Sequence, residues 1–248
     1  MNNIVSLSGG KDSTALLHLM IELDYHIVDV VFFDTGWEFP QMCDHLDEIE
    51  KKTGITITRL KPEKPFTYWL LEHPVVARKG PKKGQVHRTG YGWPSPMRRW
   101  CTRIKVDTIE KYISKYENPV QCIGYAYEEM HRIKFNSRFI KRYPLIELKI
   151  TEEDALMYCQ KLGYTWDGMY NYFNRVSCYC CPLQGKKSLK TLRRHYPDLW
   201  ARMLEWDKTI TPNRGFYHYD TVQDLDCRFA REDFLAKKQM ELSFGGND

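Results

Sequence analysis

Short apolar runs and longer helical patterns alternate along the first half of the chain. Strands are predicted by the apolar runs over residues 4–8, 27–33, 55–60 and 119–124. Helices are predicted by apolar residues at helical spacing over residues 15–23, 39–52 and 102–116. Strands that alternate with helices are typical of an α/β fold with a twisted parallel sheet and helices on both faces. Ligands in such sheets bind beyond the carboxyl ends of the strands.

The pattern changes after about residue 150. Thr151 is a typical N-cap residue, and a helical pattern follows it to Leu162. Beyond Gly163 the pattern is helical or irregular. We therefore predict an α/β domain over residues 1–150 and a smaller, mainly helical region with a cysteine cluster over residues 151–248.

Composition narrows the class of protein. The chain has 248 residues, of which 42% are hydrophobic and 28% charged, which is typical of globular domains and excludes disordered, collagen-like and disulfide-knot chains. No apolar run approaches the ~18 residues that cross a bilayer. Because Met1 leads directly into a strand pattern, we expect no signal peptide, no membrane partner and a cytoplasmic location. The oligomeric state is not predicted.

Positive charge is concentrated in one segment. No Asp or Glu occurs between Glu72 and Asp107, and nine cations lie there: Arg78, Lys79, Lys82, Lys83, Arg88, Arg98, Arg99, Arg103 and Lys105. The rest of the chain carries 28 Lys and Arg against 32 Asp and Glu. Between the cations lie Trp93, Trp100 and several glycines and prolines. This pattern favours a loop with a defined conformation over a solvated run of charges. A segment of this kind attracts phosphates, so residues 78–105 are a candidate nucleic-acid contact.

The strongest local motif is SGGKDS, at Ser8–Ser13. It lies between a predicted strand and a predicted helix. Two glycines allow a tight turn that directs several backbone N–H groups at one point, and the helix adds its positive end. The hydroxyls of Ser8 and Ser13 and the charge of Lys11 complete a candidate binding site for a pyrophosphate or a sulfate.

This motif resembles the signature of the PP-loop ATP pyrophosphatases, and within them the chain is most similar to the phosphoadenosine phosphosulfate (PAPS) reductases. Four further segments carry the resemblance: FDTGWEFP at 33–40, RWCTRIK at 99–105, GYAYEEMHR at 124–132 and YPLIE at 143–147. The resemblance implies an adenine nucleotide α-hydrolase-like fold. It also implies an enzyme that binds ATP or PAPS, with Mg²⁺ where the ligand is ATP.

The resemblance also implies roles for individual residues. Phosphate or sulfate would be held by Ser8, Gly9, Gly10, Lys11, Asp12 and Ser13. Asp34 and Thr35 would lie near the adenosine, and Gly124 would let the nucleotide approach the backbone. Further phosphates would be neutralised by Arg99, Arg103, Lys105 and Arg132. The candidate catalytic residues are Lys11, Asp12 and Cys101.

The C-terminal part departs from the family. PAPS reductases act through a cysteine in a mobile Glu-Cys-Gly-x-His-like motif, whereas no cysteine follows Cys227 and its surroundings do not match. The resemblance therefore points to the family's other chemistry, which activates a substrate with ATP or transfers sulfur to another acceptor, including nucleic-acid bases. A nucleic-acid-modifying protein and a non-catalytic nucleotide-binding module are the alternatives.

Three of the eight cysteines lie together at Cys178, Cys180 and Cys181. The spacing Cys178-x-x-Cys181 suits metal chelation. In cluster-bearing relatives, cysteines at corresponding places hold an iron–sulfur cluster, so the resemblance implies that Cys101, Cys178 and Cys181 are ligands of a 4Fe-4S cluster, with Cys180 or Cys43 as the fourth. Structural zinc, completed by Cys180 or a histidine, and a metal-free thiol group remain alternatives.

Overall fold

The computed structural model describes residues 1–133, 137–212 and 215–244, with side chains to residue 241. In chain order, the elements are β1 (Asn2–Leu7), α1 (Lys11–Glu22), β2 (Ile27–Phe33), α2 (Gln41–Thr53), β3 (Ile57–Leu60), α3 (Phe66–Leu71), β4 (Pro74–Val76), β5 (Val86–Thr89), α4 (Trp100–Ile113), β6 (Pro119–Ile123), β7 (Ile140–Arg142), α5 (Pro144–Glu147), α6 (Glu152–Lys161), α7 (Lys186–His195), α8 (Pro197–Thr209) and α9 (Val222–Phe244). Two 3-10 helices span Tyr127–Arg132 and Trp166–Asn171.

Contacts divide the chain into two compact units. The first combines Met1–Phe66 with Cys101–Tyr179, and the second combines Thr67–Trp100 with the chain from Cys180 onward. This division differs from the predicted domains at 1–150 and 151–248. The physical reason in the first unit is that α6 packs against α1 and buries Ala155 and Cys159 completely.

The first unit contains a five-stranded sheet in the order β3-β2-β1-β6-β7. All four strand pairings are parallel, and Val5 of the central strand pairs with Val30 of β2 and Cys122 of β6. These three side chains are fully buried, which explains the apolar runs in the sequence. The predicted α/β class with a parallel sheet and helices is confirmed. Because strand order reverses between β1 and β6, the crevice beyond their carboxyl ends is a topological switch point.

Capping residues fix the ends of two helices in this unit. Thr151 accepts a hydrogen bond from the N–H of Asp154, whose side chain accepts one from Thr151 in return, so α6 begins with a capping box as the sequence predicts. At the end of α2, Gly54 adopts the left-handed conformation, with φ +70°.

The second unit holds the remaining elements. β4 and β5 form an antiparallel hairpin, α7 packs on α8, and α8 packs on α9. The helices bury Leu189, Leu192, Trp200, Met203, Leu225 and Phe229. Their surface carries ion pairs, of which Arg193 to Asp226 is one, at 2.7 Å. The hairpin lies inside the basic segment between Glu72 and Asp107, which was predicted to be a loop, and α3 directly precedes that segment. No helix in the described part of the chain is long and apolar enough to cross a membrane.

Candidate functional site: an anion-binding loop

The glycine loop connects β1 to α1. Gly9 has φ +77°, a conformation that favours glycine, and a Cβ there would lie 2.1 Å from the Sδ of Met42, so the Met42 side chain packs directly on the loop. The indole Nε1 of Trp166 donates a hydrogen bond to the carbonyl oxygen of Gly9 at 2.8 Å. The loop is therefore held from α2 on one side and from the second 3-10 helix on the other.

The two serines stabilise the loop from within. The Ser13 hydroxyl accepts a hydrogen bond from the Ser8 N–H at 3.0 Å and lies 3.0 Å from the Ser8 hydroxyl. Ser13 Oγ also lies 3.0 Å from the carbonyl oxygen of Gly10, where it can donate. Ser13 is buried whereas Ser8 is exposed. Ser13 thus holds the turn, and Ser8 is the serine that a ligand can reach.

The N-terminus of α1 has no side-chain cap, because its N-cap residue is Gly10. The N–H of Lys11 donates to the Tyr170 hydroxyl at 2.7 Å, which fixes the first turn without neutralising its positive end. N–H groups of an uncapped first turn, together with the helix dipole, favour a bound phosphate or sulfate.

The charge of Lys11 is balanced by two carboxylates. Its Nζ lies 2.7 Å from Oε2 of Glu152 and 3.2 Å from Oδ2 of Asp12, and its side chain is 8% exposed. Burial lowers the pKa of Lys11, but the neighbouring carboxylates outweigh burial and raise the pKa above its ordinary value. The ammonium is therefore charged at neutral pH, and its contacts place it at the start of α1.

Burial has the opposite effect on Asp12. It raises the pKa of this carboxyl to about 6, although Lys11 acts against the rise. Among the residues that the structure describes, Oδ1 of Asp12 is buried without a hydrogen-bond partner. An oxygen of this kind suits a hard cation such as Mg²⁺.

Asp12→Asn tests this environment through pH. A carboxyl whose pKa rises on folding contributes stability below its unfolded pKa of 3.8, and the contribution is lost as the pH rises through about 6. Asparagine cannot ionise, so the free energy of unfolding of the variant, relative to the wild type, should increase between about pH 4 and 6.5. Urea denaturation over this pH range measures it. The exposed Asp107→Asn is the control, and a difference that does not vary with pH contradicts the assignment.

The turn after β2 lies beside the loop, because β1 and β2 are neighbours. The Glu38 carboxylate folds back over this turn and accepts hydrogen bonds from the Thr35 hydroxyl at 2.7 Å, the Thr35 N–H at 3.1 Å and the Trp37 N–H at 3.1 Å. Asp34 Oδ1 accepts one from the Gly36 N–H at 2.8 Å. Burial raises the pKa of Glu38, and Lys105 on α4 opposes the rise by its charge. Thr35 is thus engaged within the turn, whereas the Asp34 carboxylate lies at its surface.

Gly124 follows β6 and contacts the loop directly. A Cβ on Gly124 would lie 2.9 Å from the Cα of Ser13 and 3.0 Å from the carbonyl oxygen of Asp12. The absence of a side chain lets the strand end reach the first turn of α1. The close approach is therefore to the protein backbone, and the predicted approach of a nucleotide stays a prediction.

The arginines that were predicted to neutralise phosphates lie on different elements of the fold. Arg132 stacks on the Tyr125 ring, 4.1 Å from its centroid, and pairs with Glu129. Arg103 is exposed on α4. Arg99 belongs to the second unit. In the first unit, the structure thus brings together the glycine loop, the turn at Asp34 and Thr35, and Gly124.

The cysteines are divided between the units. Cys101 and Cys178 belong to the first, and Cys180 and Cys181 to the second. Cys178 forms a backbone bridge with Glu38, and its Sγ lies 3.5 Å from the Thr35 hydroxyl.

The described side chains do not assemble a metal site. In residues 1–133, 137–212 and 215–241, no group of three His, Cys, Asp or Glu side chains is placed to hold a metal ion. The Sγ of Cys178 lies 3.9 Å from Oε1 of Glu38, where the thiol donates to the carboxylate. The predicted cluster and the zinc site therefore stay predictions.

Sequence reasoning missed three residues that shape the site. Glu38 was visible within the FDTGWEFP segment, but its contacts with the turn depend on the fold of that turn. Glu152 and Tyr170 lie 141 and 159 residues from Lys11 along the chain, so local patterns could not reveal them.

Comparison with known proteins identifies the family. Residues 2–184 match the family model of the phosphoadenosine phosphosulfate reductase domain, and the chain belongs to this family. The family is one of nucleotide-binding proteins with sulfur-related chemistry and includes enzymes.

Curated relatives add little about activity. Two uncharacterized proteins of Methanocaldococcus jannaschii are 27% and 26% identical to this chain, over 84% and 81% of its length. The chain spans less than half of their lengths, 41% and 46%. An uncharacterized 37.8 kDa protein of Escherichia phage 186 is 27% identical over 84% of this chain and 75% of its own length.

Two solved structures resemble parts of the chain. A PAPS reductase from Candida auris, in a phosphate complex, has a TM-score of 0.48 and 16% identity, covering 69% of this chain and 77% of that one. A U34-tRNA thiolase from Methanococcus maripaludis, with its 4Fe-4S cluster, has a TM-score of 0.43 and 14% identity, covering 84% and 72%. Both superpositions are partial, so the family assignment rests on the sequence match.

Proposed function

We propose that the chain is an adenine-nucleotide-binding enzyme that uses the glycine loop at Ser8–Ser13 in sulfur-related group transfer. The observation that supports this most directly is the uncapped N-terminus of α1 at a topological switch point, with the charged Lys11 at its first position. Membership of the family supports the same nucleotide class.

With ATP as the ligand, the loop would bind the β- and γ-phosphates. An acceptor oxygen attacks the α-phosphorus, a bond to AMP forms, and the α–β anhydride breaks to release pyrophosphate. The loop N–H groups and Lys11 stabilise the charge that develops on the pyrophosphate. Lys11 must exchange part of its contact with Glu152 for phosphate, because its Nζ is already engaged there. Mg²⁺, when bound with ATP, would neutralise phosphate charge beside the free oxygen of Asp12.

PAPS is the second ligand that the family suggests. The same loop would then hold its sulfate. A thiolate would attack the sulfur, the bond between this sulfur and the phosphate oxygen would break, and adenosine bisphosphate would leave. Cys101 is the candidate thiol because it lies at the start of α4 and is partly exposed. We favour ATP, because the buried Oδ1 of Asp12 suits the Mg²⁺ that accompanies this nucleotide.

The 4Fe-4S cluster stays a proposal from the sequence, with Cys101, Cys178 and Cys181 as ligands. No step of the proposed chemistry uses it. A cytoplasmic location is likewise a proposal.

A comparison of reaction products tests the proposed function. The full chain is prepared anaerobically, iron and acid-labile sulfide are measured, and the protein is incubated with Mg²⁺ and ATP or with PAPS and a thiol. We expect slow release of pyrophosphate and AMP from ATP, accelerated by the correct acceptor. Release of sulfite from PAPS would indicate that the substrate is PAPS and not ATP. Tight binding of ATP without any product would contradict catalysis and indicate a non-catalytic binding module.

A further inference from the structure

The basic segment of the second unit contains a projecting antiparallel hairpin. β4 and β5 pair from Pro74 with Thr89 at the base to Val76 with Val86 near the tip. The connecting turn is closed by backbone hydrogen bonds between Ala77 and Gln85 and between Gly84 and Ala77, each 2.9 Å long. Residues 78–87 are all exposed. We call residues 74–89 the basic hairpin.

The tip of the basic hairpin carries four cations. They are Arg78, Lys79, Lys82 and Lys83. Within the described ranges, none of the four lies within 4.0 Å of a carboxylate. By contrast, Lys190 and Arg193 of the same unit each pair with an acidic residue on α9. The four positive charges at the tip are therefore available to an external partner.

The base of the basic hairpin is rigidly attached to α3. The N–H groups of Gly90 and Tyr91 donate to the carbonyl oxygens of His73 and Trp69, both at 2.8 Å. The Trp69 and Tyr91 rings are parallel within 6°, and the His73 ring lies 4.5 Å and 4.7 Å from them. Burial lowers the pKa of His73, so the aromatic base is neutral while the tip is charged. A rigid base presents the cations with little entropic cost of ordering.

We propose that the basic hairpin binds the phosphate backbone of a nucleic-acid duplex. A two-stranded β-ribbon fits the major groove, and cations at its tip reach phosphates on either side. Exposed Gln85, directly before β5, and exposed His87 and Thr89 on β5 supply polar groups toward the base edges. Residues 77–85 contain no large apolar side chain, and the exposed apolar residues beside them are Val76 and Val86. Membrane-surface elements insert Trp, Phe or Leu, so the tip suits a nucleic acid better than a lipid surface.

The inference deepens the proposed function, because it names the class of acceptor, but the binding itself does not depend on nucleotide chemistry. The glycine loop belongs to the first unit and the basic hairpin to the second. Each activity can therefore be removed without the other. A hairpin variant should keep ATP binding, and a Lys11 variant should keep nucleic-acid binding.

Binding of labelled oligonucleotides tests the inference. The four tip cations are replaced together by glutamine, and fluorescence anisotropy measures binding of the full chain to duplex DNA and duplex RNA between about 50 and 200 mM salt. We expect at least about a tenfold loss of affinity and a salt slope lower by up to about 3.6, since each phosphate contact contributes ~0.9. The two duplexes distinguish the source of the phosphates.

A matched variant controls for net charge. It replaces the exposed Arg202, Lys208, Lys237 and Lys238 of the second unit by glutamine, which changes the net charge equally. We expect this variant to keep most of its affinity. Equal losses in both variants, an unchanged hairpin variant, or tighter binding to phosphatidylserine vesicles than to either duplex would overturn the inference. A circular dichroism spectrum and a thermal unfolding midpoint equal to those of the wild type show that the hairpin variant is folded.

Discussion

Replacing Lys11 by alanine is expected to weaken ATP binding by about 10- to 100-fold. Hydrogen bonds to charged groups contribute about 1.5–3 kcal/mol, and each 1.4 kcal/mol changes the affinity tenfold. The variant also leaves Glu152 and Asp12 without the cation that neutralises them, so two carboxylates repel the incoming phosphates. Isothermal titration calorimetry with ATP and Mg²⁺ measures the loss.

The control for this experiment is Lys161→Ala, at the exposed C-terminal end of α6 in the same unit. It removes the same charge at a distance from the loop. We expect ATP affinity to stay within about twofold of the wild type, because screening weakens exposed charges beyond ~10 Å. An unchanged affinity in Lys11→Ala would refute the glycine loop as the phosphate site, and a similar loss in both variants would point to net charge.

Replacing Gly124 by alanine should destabilise the first unit by about 3 kcal/mol. The new Cβ would lie within 3.0 Å of the backbone of Ser13 and Asp12, and neither backbone can move without separating β6 from α1. Insertion of a methyl group into a tightly packed site costs about 1–3 kcal/mol or more. Urea denaturation measures stability, and the displaced loop should also bind ATP more weakly.

Gly185→Ala is the matched control for this variant. Gly185 also has a negative φ, but an added Cβ meets no atom within 4 Å. The control therefore gains the same methyl group in open space, and its stability should stay within about 0.5 kcal/mol of the wild type. If the two variants were equally stable, the contact between Gly124 and the loop would be wrong.

Local patterns predicted most of the first unit. The apolar run at residues 27–33 predicted β2 with its observed bounds, and Gly54 correctly marked the end of α2. These predictions succeeded because buried strands and helix caps depend on neighbouring residues. β7 was missed because its three residues, Ile140–Arg142, carry two cations and only one apolar side chain. The basic hairpin was missed because glycine, proline and lysine dominate its turn.

The candidate site could also be predicted in part, because one of its components is a local sequence motif. The glycine loop is a continuous motif, so its position could be recognised without the fold. The ion pair between Lys11 and Glu152 and the burial that raises the pKa of Asp12 depend on the packing of α6 against α1. The side-chain contacts of the Cys178 thiol could not be deduced either, because its partners Thr35 and Glu38 follow a different strand.

Residues 163–179 support the glycine loop. This support limits how far the chain can be shortened before the loop loses its contacts. Trp166 secures the carbonyl of Gly9, and Tyr170 secures the N–H of Lys11. A fragment cut after β7 would retain the entire sheet and the SGGKDS motif, yet it would release both ends of the turn. A fragment that keeps this support therefore extends at least to Tyr170, well past the last strand.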